Sequence, residues 1–148
     1  MINLKVTIKG DTVINRKLAN MGVVIKDLRP VFGRFRKILV NEWADNFKKE
    51  GSYKGAWANL SERTNKDRIR KGYSPAHPIL RRSGNLLAGV LGRNNSSINV
   101  MQKQRAEFGV KGSKAVYADE ARNFITISNN TKESLIKVIQ EALKKAVA

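Results

Sequence analysis

The side chains best suited to chemistry lie between residues 61 and 82. Arg63, Lys66, Arg68, Arg70 and Lys71 stand close together, Tyr73 follows them, and Arg81-Arg82 lie just beyond. A cluster of this kind neutralises phosphates or acidic side chains, giving affinity that salt weakens and that does not depend on base sequence. The aromatics are not interleaved at the spacing of base-stacking platforms, and no helix-turn-helix or zinc-finger pattern is present. The segment has almost no apolar face, so attachment to a membrane surface is a weaker use for it.

Catalytic patterns are scarce. His77 is the only histidine and sits in Ser-Pro-Ala-His-Pro, which reads as a structural loop. The twelve acidic residues form no pair with metal-ligand spacing, which argues against a magnesium-dependent nuclease or a glycosidase. With no cysteine, disulfides, thiolate metal sites and a cysteine nucleophile are excluded. Gly109-Val-Lys-Gly112-Ser-Lys114 lacks the spacing of a phosphate-cradling loop and reads as a turn. The expectation is a non-enzyme with no cofactor and no metal, a small enzyme whose site forms only on folding being the remote alternative.

Charge gives the strongest compositional signal. Lys and Arg number 29 against 12 Asp and Glu, a formal +17 over 148 residues. Such a domain repels itself and attracts polyanions or acidic surfaces. The excess is spread along the chain, but residues 52–93 are the most lopsided, with 9 basic and 2 acidic side chains. A hydrophobic content of 41% is that of a folded chain long enough to bury a core. No apolar run approaches the roughly 18–20 residues that cross a bilayer. The first residues alternate instead of forming the apolar block of a signal peptide, so synthesis and retention in the cytoplasm are expected.

The elements that must position the basic cluster can be read in order. Ile2, Leu4, Val6 and Ile8 alternate with polar residues, the period of a half-buried strand. Residues 12–21 read as a helix with Val13, Leu18 and Met21 inward, broken near Gly22. A second helix begins near Asp27 with Pro30 in its first turn, carries Phe32, Phe35, Leu39, Trp43 and Phe47 at spacings of three and four, and stops at Gly51. Residues 61–72 form a short helix capped by Ser61 or Asn59 and closed by Gly72, with only Ile69 to bury. That segment is expected to be a mobile loop or to be ordered by a neighbouring subunit. Pro75 and Pro78 keep the following residues extended, and Arg82-Ser83-Gly84 starts a short helix through Leu86, Leu87, Val90 and Leu91, with Ser83 as a candidate cap.

Ile98, Val100 and Met101 and then Ala106, Phe108 and Val110 read as a hairpin across Lys103-Gln104. Phe124, Ile125 and Ile127 read as a short strand, and Ser128 caps a last helix with Leu135, Ile136, Val138, Ile139, Ala142, Leu143 and Val147 on its apolar face. The predicted fold is a single α+β domain over residues 1–148. It has a small, mainly antiparallel sheet packed with two or three helices, and a long basic excursion over residues 52–78.

Several marks recur in a recognisable order. Phe47 precedes a glycine-containing turn; Trp57 is followed by Leu60-Ser61 and Thr64; Ile79-Leu80 precede Ser83-Gly84-x-Leu86. Phe108-Gly109-Val110, Tyr117-Ala118 and Arg122-x-Phe124 then lead into the Ser128-capped helix. Over roughly residues 30–148 this pattern resembles the phage virion morphogenesis (tail-completion) family. One departure is that only Asp119-Glu120-Ala121 separates Tyr117-Ala118 from Arg122, where family members usually carry a longer stretch.

The resemblance implies a structural subunit of the neck of a tailed bacteriophage, one that finishes the tail or joins it to the head. Such a subunit is expected in the virion at the head–tail junction, and in the host cytoplasm during assembly. It would form a homo-oligomeric ring, six-fold favoured, around the DNA channel, between a head-side connector and a tail-side terminator or tube protein. Within that ring Trp57, Leu60, Tyr73 and Ile79 are the expected subunit-interface residues, Trp57 having the alternative of a core residue beneath its own loop. Arg63, Lys66, Arg68, Arg70, Lys71, Arg81 and Arg82 are the expected contacts to DNA or to an acidic partner. The alternative reading of the whole chain is a non-specific architectural DNA-binding protein.

Overall fold

The computed structural model describes Val6–Thr7, residues 27–76 and residues 78–147. The expected helix over residues 12–21, most of the first strand, and His77 lie outside the described residues.

One long helix, α1 (Arg29–Lys49), carries the core. Pro30 occupies its first turn, where the missing N–H costs nothing. Val31, Phe32, Phe35, Leu39, Trp43, Asn46 and Phe47 are all buried, so the helix presents one continuous apolar stripe. It ends where Glu50 adopts a left-handed conformation (φ 52°) and returns its N–H to the Asn46 carbonyl. The sequence places this stop at Gly51, one residue later. Gly51 is required for another reason. It opens a two-residue strand, β2 (Gly51–Ser52), paired antiparallel with β3 (Gly55–Ala56), and a Cβ there would lie 2.9 Å from the Gly55 carbonyl oxygen.

The main sheet has three antiparallel strands in the order β1-β5-β4: β1 (Val6–Thr7), β4 (Ser97–Met101) and β5 (Ala106–Val110). The β4–β5 hairpin pairs Ser97 with Val110 and Met101 with Ala106, the hairpin the alternation predicts. Ala106, Phe108 and Val110 are buried as expected. Glu107 is buried as well, its carboxylate engaged by Arg105.

Between the excursion and the hairpin lies α3 (Asn85–Val90), which packs on β5 at close range. A Cβ on Gly89 would stand 2.7 Å from Val110 Cγ2, so only glycine permits this approach. The start of α3 is Gly84, with no side-chain cap, so Ser83 does not fill the capping role its position invites.

After the hairpin, α4 (Ser113–Arg122) and α5 (Asn129–Val147) complete the chain. Helix α5 packs along α1, burying Leu135 and Val138 while leaving Ile136 exposed. Ser128 caps it, its hydroxyl accepting from the Thr131 N–H.

The expected strand at Phe124–Ile127 is not a strand. Phe124, Ile125 and Thr126 are buried, but side chains satisfy backbone groups that a ladder would otherwise engage. The Asn46 amide donates to the Phe124 carbonyl (3.1 Å), the Ile125 N–H donates to Asp119 Oδ1 (2.8 Å), and the Ser128 N–H donates to Glu42 Oε1 (2.9 Å). Buried backbone polar groups must be paired with something, and here the partners are side chains from α1 and α4. The α+β architecture is the one the sequence predicts; α4 is an additional helix, beginning at Ser113 inside the stretch expected to be a turn.

Candidate functional site

The basic excursion is anchored by its own chain. After the β2–β3 turn, the Trp57 N–H donates to the Glu50 carbonyl (2.8 Å), and its indole packs edge-on to Phe47 at 5.4 Å between centroids. Phe47 makes a second such contact with Phe124 at 5.3 Å. Trp57 is therefore core, 7% exposed, and Ile79 is 2% exposed. The interface role expected for these two residues is corrected accordingly: both fix the ends of the excursion to the body and neither is offered to a neighbour. Leu60 packs partly against the same core, while Tyr73 remains 40% exposed.

Helix α2 (Glu62–Arg70) forms because Ser61 caps it, accepting from the Thr64 N–H, with Glu62 in its first turn and Gly72 (φ 74°) ending the segment. Its orientation reverses the expectation. Ile69, the only apolar residue in the helix, is 60% exposed, whereas Arg68 is buried at 3%. The Arg68 guanidinium donates to the Pro78 carbonyl (3.1 Å) and reaches the Ser74 carbonyl (3.5 Å). Burial, and next the neighbouring Arg82 charge, lower its pKa from the usual arginine value, with Glu50 opposing the shift. Glu50 also accepts a hydrogen bond from the Ile79 N–H. Arg68 thus closes the 71–79 loop over the core, and its expected contact with DNA or an acidic partner is corrected to an internal one.

The remaining cations lie on the surface around one carboxylate. Asp67 holds Arg70 at 2.8 Å, Lys71 at 2.9 Å and Arg82 at 3.5 Å. The hydrogen bonds from Lys71 and Arg70 keep the Asp67 carboxyl below the usual carboxylate range, so it is ionised at neutral pH. Lys66 pairs with Glu62 at 2.7 Å, and the Arg82 guanidinium lies 5.6 Å from the Tyr73 ring centroid. Arg63, Thr64, Lys66, Asp67, Arg70 and Arg82 line an open cleft of about 670 Å³. Arg63, Lys66, Asp67 and Arg70 are spaced three and four apart and so share one face of α2, with Arg82 facing them from the other side of the loop. Arg81 is exposed but does not line this cleft.

The structure therefore brings together five of the seven expected cationic contacts, namely Arg63, Lys66, Arg70, Lys71 and Arg82. Sequence reasoning missed the organising role of Asp67, although its spacing to Arg70 and Lys71 is a visible ion-pair signal. It also missed Tyr53, 57% exposed in the β2–β3 turn, beside Lys54, whose ammonium donates to Asn123 Oδ1 (3.1 Å). Nothing in the local pattern distinguishes this tyrosine from a buried one.

Among the described residues no group of three or more His, Asp or Glu side chains is placed to hold a metal ion, and no helix is long and apolar enough to cross a membrane. Compared with known proteins, the chain matches no family model, no curated protein and no solved structure.

Proposed function

We propose that this chain is a structural subunit of a tailed-phage neck, a tail-completion or head–tail joining protein that acts by assembling into a ring around the DNA channel. Two things support the reading. The first is the ordered set of sequence marks from Phe47 to Ser128. The second carries it: the excursion is built as a preformed docking element. Trp57, Ile79 and Arg68 fix it from beneath, and its outer surface presents Ile69, Tyr73 and a cluster of cations. A surface that mixes exposed apolar and charged side chains suits contact with a neighbouring protein of the particle better than chemistry on a substrate.

In the ring, heterologous head-to-tail contacts close when the subunit rotation permits. Native mass by light scattering, at low and high salt, tests the proposal: a discrete ring-sized species is expected, either alone or on addition of head-side or tail-side particles. A chain that stays monomeric in both settings and does not enter particles refutes it.

The cleft of Arg63, Lys66, Arg70 and Arg82 favours a second reading, non-specific DNA binding by an architectural protein. A monomer or dimer that binds duplex DNA with a steep salt dependence would establish that reading in place of the first.

A further inference from the structure

We infer that the exposed face of α2 docks an acidic surface on a different protein, with Ile69 as the apolar anchor, and that neither DNA nor a second copy of this chain is its occupant. This rests on the assembly reading and names the chemistry of the neighbour.

Three observations lead there. Ile69 is the most exposed large apolar side chain of the chain's described part at 60%, and it sits on a helix whose other exposed side chains are polar or charged. A buried arginine and an exposed isoleucine next to each other mean that α2 was not oriented by hydrophobic burial on its own body. Lys66 lies one turn before Ile69, and over the excursion as a whole the exposed cations Arg63, Lys66, Arg70, Lys71, Arg81 and Arg82 outnumber the two carboxylates Glu62 and Asp67. The helix thus presents a cationic cleft with an exposed apolar side chain at its flank, which complements an acidic surface carrying an apolar residue.

The position of Asp67 argues against DNA. It lies among the cations that line the cleft and is ionised. A nucleic-acid strand carries its charges at short fixed intervals, one per about 3.4 Å of axis per strand. A strand following Arg63, Arg70 and Arg82 would therefore set a phosphate beside that carboxylate. Carboxylates on a folded partner have no fixed interval and can meet the rim cations while avoiding Asp67. Phosphodiester also has no use for an exposed isoleucine.

The chain's own acids argue against a second copy. Asp27 is held by Arg29, Glu141 by Arg34, Glu62 by Lys66, Asp67 by three cations and Glu107 by Arg105. Glu42, Glu50 and Asp119 accept from backbone N–H groups. Among the described residues this leaves Asp45, Glu120 and Glu133 as exposed acids outside such pairs, one on each of three helices. No single helix carries two of them, so none presents an unpaired acidic face of its own to α2.

The test measures binding of labelled probes to the full chain by fluorescence anisotropy at about 0.1 M salt, where charges more than about 10 Å apart are screened. The probes are a helical peptide of Glu residues carrying Leu at two positions four apart, the same peptide with Ser for Leu, and a short DNA duplex. The variants are Ile69→Ser, Arg63→Glu with Arg70→Glu, and, as a charge-matched control on exposed α5 positions, Lys132→Glu with Lys137→Glu. The Leu peptide should bind more tightly than the Ser peptide. Ile69→Ser should weaken the Leu peptide by roughly tenfold and abolish the difference between the two. The Arg63/Arg70 reversal should weaken both peptides, and the α5 control should change neither by much.

Equal binding of the two peptides, an unchanged affinity in Ile69→Ser, or an α5 control as damaging as the Arg63/Arg70 reversal overturns the proposal. Loss of duplex binding in Arg63→Glu/Arg70→Glu with peptide binding intact assigns the face to DNA instead. These outcomes are separable from the ring test. A chain that binds the Leu peptide through Ile69 but never enters a ring or particle keeps this inference and loses the neck reading, and ring formation without peptide binding does the reverse.

Discussion

Replacing Trp57 with alanine separates the two roles open to that residue, and the structure fixes the size of the effect. The indole is 7% exposed and meets Phe47 edge-on at 5.4 Å. Truncating a buried aromatic to alanine costs about 3–5 kcal/mol, and loss of the edge-on pair accounts for about 0.5–1.5 kcal/mol beyond area burial. Taking about 4 kcal/mol and a urea slope of about 2 kcal/mol/M, the unfolding midpoint should fall by roughly 2 M. Trp43, the only other tryptophan, is fully buried on α1 and supplies the fluorescence signal of the variant.

Trp57→Phe refines the argument. The Trp57 indole Nε1 is buried without a hydrogen-bond partner, so phenylalanine removes an unsatisfied donor while keeping the ring contact with Phe47. The smaller ring leaves part of the indole's space empty, so the variant should still lose stability, but less than alanine. A docking anchor behaves in the opposite way: the alanine variant keeps its midpoint and fails only in assembly. An unchanged urea midpoint in Trp57→Ala would refute the placement of this side chain in the core.

Three further outcomes are expected. Gly89→Ala sets a methyl against Val110 Cγ2, at 2.7 Å in the unrelaxed fold, and should destabilise by about 1–2 kcal/mol; in a double-mutant cycle monitored by urea denaturation, Val110→Ala should relieve part of that cost. Arg68→Met keeps the packed stem and leaves the Pro78 carbonyl without its donor, so about 1–2 kcal/mol should be lost, with faster amide exchange confined first to residues 71–79. Asp27 is held down to about 2, first by the Arg29 side chain and then by its N–H; the carboxyl signal in carbon NMR should titrate there and return toward 3.8 in Arg29→Ala. Since the folded pKa is depressed, the stability this group contributes is present above 3.8 and disappears as pH falls through about 2, and Asp67 acts with the same sign.

The sequence made the body of the fold legible where one physical rule decides. Phe32, Phe35, Leu39, Trp43 and Phe47 share a helix face by spacing alone, and the composition of residues 97–101 and 106–110 specifies the hairpin, though β5 is buried on both faces and Val100 and Met101 on β4 are exposed. Ser61 and Ser128 cap helices because a hydroxyl at those positions meets an otherwise unpaired N–H. The errors arise where distant partners decide. Phe124, Ile125 and Ile127 have strand-like composition, but whether the backbone there meets another strand or the side chains of Asn46 and Asp119 depends on chain separated by up to 78 positions. Helix α4 is not legible because Ala115 and Ala118 supply a much weaker periodic signal than the aromatics of α1. At the site, hydropathy places Ile69 inside and Arg68 outside. The fold reverses the two because the loop returning from residues 74–78 presents carbonyls that only a long donor can reach. A local pattern contains no record of those carbonyls.

That reversal also fixes how salt should act on assembly. At +17 and with its acids mostly held in internal pairs, each copy repels the next, so added salt screens the repulsion and strengthens contacts between copies. The basic face of α2 has the opposite dependence on an acidic neighbour, because screening removes attraction there. Contacts between copies then need surfaces that are apolar and less charged. Val100 and Met101 on strand β4, 40% and 38% exposed, and Ile136 on α5 at 43%, are such positions, and all three lie outside the basic excursion. A subunit built this way has two kinds of contact with opposite responses to salt. Raising ionic strength should drive the isolated chain toward oligomers while releasing acidic partners from α2. If one salt titration moved both equilibria in the same direction, the division of labour between the apolar positions and the α2 face would be wrong.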